Sequence, residues 1–159
     1  MMSVNIIALG KMSEKFFTDA MKEYSKRLSA YCKFNVIEIP EVKVQNEDSE
    51  ALIREALEAE AKLIAKYTSR GHTIAMCVEG EQMISEKFAE HIKNTGVRGE
   101  SQINFVIGSS HGLSDSVKRA ANMRMSVSKM TLPHQLCRVF LTEQIYRAFK
   151  INAGERYHK

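Results

Sequence analysis

The chain has 159 residues, 44% hydrophobic and 26% charged, with two prolines and no linker-like tract, so we expect residues 1–159 to form one globular domain. The net charge of +4 is uneven: residues 1–117 hold 14 Lys and Arg against 17 Asp and Glu, whereas residues 118–159 hold 9 against 2. This asymmetry fits a polyanion such as nucleic acid beside the last third, and charge alone fits a solvated basic face equally well.

The first predicted elements are a strand, a helix and a second strand. Val4–Leu9 is a short apolar run, and apolar side chains at helical spacing follow it in a segment from Ser13, which predicts a capped helix. The terminal run has no basic leader and Asn5 interrupts it, so we interpret it as a strand and not as a signal peptide. Phe34–Ile39 is the second predicted strand, and the polar stretch Glu41–Glu50 is a predicted surface loop.

The middle of the chain predicts a helix, a strand, a shorter helix and another strand. Ala51–Lys66 places most of its apolar residues on one stripe, which is typical of an amphipathic helix. Thr73–Val78 is the third predicted strand, and a helix capped by Ser85 follows to about Lys93. Ile103–Ile107 is the fourth strand.

The last third predicts one or two helical turns over Leu113–Ala121, a strand over Met123–Val127, and a long helix that Pro133 opens and that ends near Asn152. This final helix is apolar on more than one stripe. We therefore expect one side to meet the sheet and the other to meet a partner subunit, with burial inside a single domain as the alternative.

Strands that alternate with helices predict an α/β fold, in which a mainly parallel sheet has helices on both faces. Ligands of such sheets bind beyond the carboxyl ends of the strands. The predicted ends are Leu9–Gly10, Val78–Gly80, Ile107–Gly108 and Val127–Lys129. Plain turn chemistry explains each glycine equally well on its own.

Two of these ends lead into loops that suit a ligand. The loop 108–112 is bounded by glycines, but it carries neither a dinucleotide-binding nor a phosphate-loop fingerprint. The segment 126–134 is rich in hydroxyl residues, and its backbone can read an adenine edge while Met130 and Leu132 pack on the ring. Alternatively, the segment only leads into the final helix, and Thr131 or a neighbour caps that helix.

Other chemistries lack the residues they need. His111, His134 and His158 do not have metal-ligand spacing, and no serine lies in a nucleophile motif, so we expect neither a metal nor covalent acyl chemistry. The three cysteines are far apart and form no Cys-x-x-Cys pair, which fits core thiols in a reducing cytoplasm. No segment is long enough to span a bilayer, so we expect no membrane partner.

Three segments together resemble one family. They are FVIGSSHGL at 105–113, SVSKMTLPHQ at 126–135, and the ending with EQIYRAF at 143–149 and YHK at 157–159. This ordered set resembles the RlmH family of bacterial ribosomal RNA large-subunit methyltransferases. The resemblance implies a SPOUT fold with a carboxy-terminal trefoil knot. It also implies a homodimer that uses S-adenosylmethionine to methylate N3 of a pseudouridine in the 23S rRNA of assembled ribosomes.

The resemblance also implies which residues form the site. The cofactor contacts carried over by position are Met76, Gly108, Val127, Ser128, Lys129, Met130, Thr131 and Leu132. The tail residues Tyr157 and His158 resemble the part that completes a composite site across the dimer, and Arg147 is placed to hold phosphate or base. The residues alone do not say which group takes the N3 proton, and solvent is one candidate.

Two other functions fit parts of the sequence. An RNA-binding protein without catalysis would use the basic last third and would not bind S-adenosylmethionine. A flavodoxin-like sensor or scaffold would bind a small nucleotide and no RNA.

Overall fold

The structure, a computed structural model, describes all 159 residues and contains one five-stranded sheet. The strands are β1 Ser3–Leu9, β2 Lys33–Ile39, β3 His72–Glu81, β4 Gln102–Ile107 and β5 Met123–Met125. The helices are α1 Lys15–Leu28, α2 Glu50–Ala65, α3 Ser85–Val97, α4 Asp115–Ala120 and α5 His134–Asn152. Every strand pair is parallel, and the order across the sheet is β2-β1-β4-β3-β5, which confirms the predicted α/β class.

The core lies on both faces of the sheet because successive strand residues point to opposite sides. Ile6 belongs to a cluster that includes Leu28 of α1, Phe88 of α3 and Ile145 of α5. The neighbouring residue Ile7 belongs to a second cluster, which includes Ile64 of α2 and Val117 of α4. Helices α1, α3 and α5 therefore cover one face, and α2 and α4 cover the other.

A ladder of side-chain amides aligns three of the strands. Asn35 Nδ2 donates to Asn5 Oδ1, and Asn5 Nδ2 donates to Asn104 Oδ1, both at 2.9 Å. The three residues lie side by side in the β2-β1-β4 register. Asn5 is thus buried with its hydrogen bonds made, and any one-residue slip of these strands would break the ladder.

Two predicted helix caps are wrong. Helix α1 begins after Glu14 with no side-chain cap, and Ser13 instead exchanges hydrogen bonds with Gln135 of α5. Ser85 is the first residue of α3, and its hydroxyl donates to Gln144 of α5 at 2.7 Å. In both cases local spacing predicts that the serine hydroxyl caps its own helix. The hydroxyl is instead hydrogen-bonded to a glutamine of α5 that is distant in sequence.

Helix α5 packs between α1 and α3, and one side joins the core cluster through Leu141 and Ile145. Its outer side leaves Leu136 and Phe140 about two-fifths exposed. None of the helices has an apolar stretch sufficient to cross a bilayer.

Candidate functional site

The largest cavity lies at the carboxyl ends of β3 and β4, as expected for a parallel sheet. It has a volume of about 680 Å³, and ten of its 22 lining residues are hydrophobic. Its walls are the end of β3, the loop after β4, the segment that joins β5 to α5, and the first turn of α5. Size and lining are those of a small-molecule site.

Seven of the eight predicted cofactor residues line this cavity. They are Met76, Gly108, Val127, Ser128, Met130, Thr131 and Leu132. Lys129 does not line it and is exposed to solvent. The structure therefore brings the two predicted loops and the third strand together around one space.

Gly108 is where the first loop closes on itself. A Cβ added at this position would lie 2.4 Å from the carbonyl oxygen of Gly112. Gly112 N–H donates to the Ser109 carbonyl at 2.9 Å, and Gly112 has a φ of +81°, a conformation that favours glycine. Both glycines are thus needed for a tight turn beside the cavity.

The second loop, which follows β5, is held by its own hydroxyl groups. Ser126 Oγ donates to the Ser128 carbonyl at 2.7 Å, and Ser128 Oγ accepts from Met130 N–H at 3.0 Å. Pro133 is the residue before α5, and no side chain caps the helix. The hydroxyl residues therefore shape the loop, and the alternative of a cap from Thr131 is not observed.

A charged pair at the cavity was missed from the sequence. Lys118 Nζ lies 2.6 Å from Glu79 Oε1, and both residues line the cavity. The hydrogen bond from Lys118 lowers the pKa of the Glu79 carboxyl below its ordinary value. The available signal was the position of Glu79 at a strand end, between Val78 and Gly80; its partner is 39 positions later and only the fold reveals it.

Arg138 was also missed, and it fixes the start of α5 to the same edge of the sheet. Its side chain is 1% exposed; Nη1 donates to Glu38 Oε2 at 2.7 Å and Nη2 donates to the Gly10 carbonyl at 3.1 Å. Because Glu38 and Gly10 lie at the ends of β2 and β1, this contact sets where the second loop must end. An arginine inside an apolar helix was its only sequence signal.

The three predicted catalytic residues also lie together. Arg147 Nη1 is 3.2 Å from His158 Nδ1, and the Arg147 guanidinium lies over the Tyr157 ring at 4.8 Å from its centroid. Burial and the nearby Glu143 carboxylate raise the pKa of Tyr157 to about 12, so the phenol stays protonated at neutral pH. It can donate a hydrogen bond there, but it is not a phenolate base.

None of these three residues, Arg147 of α5 and Tyr157 and His158 of the tail, lines the cavity of its own chain. Arg147 is held by Glu143 at 2.5 Å, and His158 Nε2 is 2.6 Å from Glu86 Oε1 at the start of α3. Within one chain the predicted cofactor and catalytic residues thus form two separate groups.

The cavity suits S-adenosylmethionine. The donor is a nucleoside with a sulfonium cation, which needs an apolar slot for the base and polar groups at its rim. The loop 108–112 can close beside this slot because residue 108 has no side chain, since a Cβ there would lie 2.4 Å from the Gly112 carbonyl oxygen. Glu79 and Lys118 line the cavity as an ion pair and are polar groups at its rim.

Known proteins resemble this chain over its full length. Residues 2–158 match the family described as "Predicted SPOUT methyltransferase". The chain is 48% identical over 159 residues to ribosomal RNA large subunit methyltransferase H 1 of Clostridium perfringens (strain SM101 / Type A), covering 99% of this chain and 100% of that one. It is 45% identical, with the same coverage, to ribosomal RNA large subunit methyltransferase H of Bifidobacterium adolescentis.

The fold is also found among solved structures. A probable methylase family protein from Haemophilus influenzae Rd KW20 superposes with a TM-score of 0.61 at 13% identity, covering 98% of this chain and 70% of that chain. At this identity the likeness shows the fold alone.

Proposed function

This chain belongs to the SPOUT methyltransferase family and, within it, to the RlmH family, and on that premise we propose that it methylates N3 of a pseudouridine in 23S rRNA. It is an rRNA methyltransferase, and its cofactor is S-adenosylmethionine. The observation that carries the proposal is the closure of two loops, 108–112 and 126–132, around one cavity at the carboxyl edge of a parallel sheet.

The cavity residues bind the cofactor and orient it. When bound, S-adenosylmethionine supplies an electrophilic methyl group on its sulfonium sulfur. The apolar side chains of Met76 and Leu132 line the space for the base, and the hydroxyl-braced loop after β5 keeps its backbone groups in one arrangement. Most of the acceleration then comes from holding N3 in line with the methyl group.

We propose that the tail of one subunit completes the cavity of the other in a homodimer. The separation of Arg147, Tyr157 and His158 from their own cavity supports this arrangement. The outer side of α5 also supports it, because Leu136 and Phe140 are exposed there in the single chain. In the composite site Arg147 holds phosphate or base, and Tyr157 packs beside the Arg147 guanidinium with its hydroxyl donating to Glu143. The N3 proton leaves to His158 or to solvent.

The charges of the last third support rRNA as the partner. Five exposed cations in residues 118–159 form no ion pair within 4.0 Å: Arg119, Arg124, Lys129, Arg156 and Lys159. Such unpaired cations suit phosphate groups and make binding depend on salt. The proposed rRNA partner and the three free cysteine thiols together favour a cytoplasmic location for this protein.

We also propose that residues 1–159 form one SPOUT domain whose carboxy-terminal segment is threaded as a trefoil knot. Membership of the SPOUT methyltransferase family supports the knot, since this fold is typically knotted.

Mass spectrometry of 23S rRNA tests the activity. We expect rRNA from a strain without this protein to lack one methyl group on a pseudouridine, and the purified protein with S-adenosylmethionine to restore it on assembled ribosomes. An unchanged modification profile would contradict the proposal. Calorimetric titration with S-adenosylmethionine separates it from an RNA-binding protein without catalysis, for which no cofactor binding is expected.

A further inference from the structure

The carboxylate of Glu143 in α5 contacts both Arg147 of the same helix and Tyr157 of the tail. Its Oε1 accepts from Arg147 Nη2 at 2.5 Å and from the Tyr157 hydroxyl at 3.1 Å. Its Oε2 accepts from Gln144 Nε2 at 2.8 Å, and Gln144 in turn accepts from the Ser85 hydroxyl of α3. The carboxylate is only 17% exposed, so these bonds form in a partly desolvated site where charge-assisted hydrogen bonds are strong.

The tail depends on such contacts because it has no regular secondary structure of its own. After α5 ends, the chain turns at Gly154, which has a φ of +69°, and no helix or strand follows. Glu155 is anchored by Tyr31 and Lys150 at the beginning of the tail, and His158 contacts Glu86 of α3 at its end. Between these two anchors, the Tyr157 hydroxyl donates to Glu143. Terminal segments without anchors are usually mobile.

We infer that Glu143 is a positioning residue of the tail: its carboxylate fixes Tyr157 and Arg147 relative to each other, and Arg147, together with Glu86 of α3, fixes the His158 ring. The inference rests on the proposed function, since it concerns the residues that complete the composite site. Arg147 keeps donors for RNA in this arrangement, because Glu143 uses Nη2 and His158 faces Nη1, whereas a guanidinium has five N–H groups. Glu143 thus orients the arginine without occupying all of it.

The test compares Glu143→Ala and Glu143→Gln with wild type, and uses Glu90→Gln as a matched control. Glu90 is a carboxylate on α3 that pairs only with Lys87. Three measurements are made on the full chain: hydrogen exchange of tail amides 154–159, calorimetric affinity for S-adenosylmethionine, and the single-turnover rate of rRNA methylation at saturating cofactor.

We expect Glu143→Ala to accelerate tail exchange and to lower the methylation rate by roughly 10- to 100-fold, the cost of small misplacements in a reacting site. Glu143→Gln keeps an acceptor without the charge and should fall between Glu143→Ala and wild type. Cofactor affinity should stay within about twofold of wild type in both variants, since Glu143 does not line the cavity. Glu90→Gln should match wild type in all three measurements.

Unchanged tail exchange in both variants would overturn the inference, and so would a loosened tail with a wild-type methylation rate. A parallel loss of cofactor affinity would overturn it as well, because it would indicate general damage. If Glu143→Ala does not fold, the three measurements are compared between Glu143→Gln and wild type. If wild type itself methylates no pseudouridine, the proposed function fails, while the exchange measurement still decides whether Glu143 holds the tail.

Discussion

Replacement of Gly108 by alanine tests the site most directly. The added Cβ would lie 2.4 Å from the Gly112 oxygen and 2.5 Å from the Gly112 carbonyl carbon, both backbone atoms that cannot rotate away. Ordinary contact begins near 3.4 Å, so the loop 108–112 must open by about 1 Å. Overpacking of this kind costs about 1–3 kcal/mol.

The variant relieves this clash by opening the loop, and ligand binding must then close it again at the same cost. We therefore expect the dissociation constant for S-adenosylmethionine to rise roughly 5- to 150-fold in Gly108→Ala. Because a longer side chain would also fill the slot, Gly108→Arg should abolish binding. Isothermal titration calorimetry at constant temperature and salt measures both effects.

The matched control is Gly96→Ala, on the exposed side of α3. There the Cβ meets only the flexible end of Met2 at 3.0 Å, and alanine is the better helix former by about 1 kcal/mol. The control should bind cofactor like wild type and unfold at the same or higher urea concentration. A dissociation constant within twofold of wild type for Gly108→Ala would refute the reasoning from loop closure.

Three further predictions concern the tail, a cavity thiol and the charged pair. Truncation before Tyr157 should leave calorimetric cofactor affinity unchanged and abolish rRNA methylation; residual methylation at the wild-type rate would exclude the tail from the site. Burial raises the pKa of both Cys137 and Cys32, so both thiols react slowly in the folded chain. S-adenosylhomocysteine should slow alkylation of Cys137, which lines the cavity, and leave that of the buried Cys32 unchanged; equal protection measured by mass spectrometry would place the ligand elsewhere. Since Lys118 lowers the pKa of Glu79 in the folded state, the pair stabilises the fold fully above the ordinary carboxyl pKa of 4.5 and loses that effect as pH falls through the lowered value. The difference in unfolding free energy between wild type and Glu79→Gln should therefore shrink from neutral pH to about pH 3 in urea titrations, and a pH-independent difference would contradict it.

Much of the site was predictable because it is local in sequence. A run of hydroxyl residues between a strand and a helix must form an irregular loop, and Gly108 directly after a strand marks a close backbone approach. Seven of the eight residues carried over from the family resemblance line one cavity, and five of them come from the single segment 127–132. Lys129 is the exception, because consecutive residues of a loop point in different directions and spacing does not say which one points outwards.

The sequence by itself determined the order of strands and helices, the parallel sheet and the family, since these follow from hydrophobic periodicity and from ordered motifs. Only the tertiary structure decided the contacts between distant residues. In the folded chain Lys118 pairs with Glu79, and Arg138 is buried against Glu38. The Ser85 hydroxyl, predicted to cap α3, donates to Gln144 instead. The physical reason is that periodicity reports which face of an element is buried, whereas the partner of a polar side chain depends on how whole elements pack.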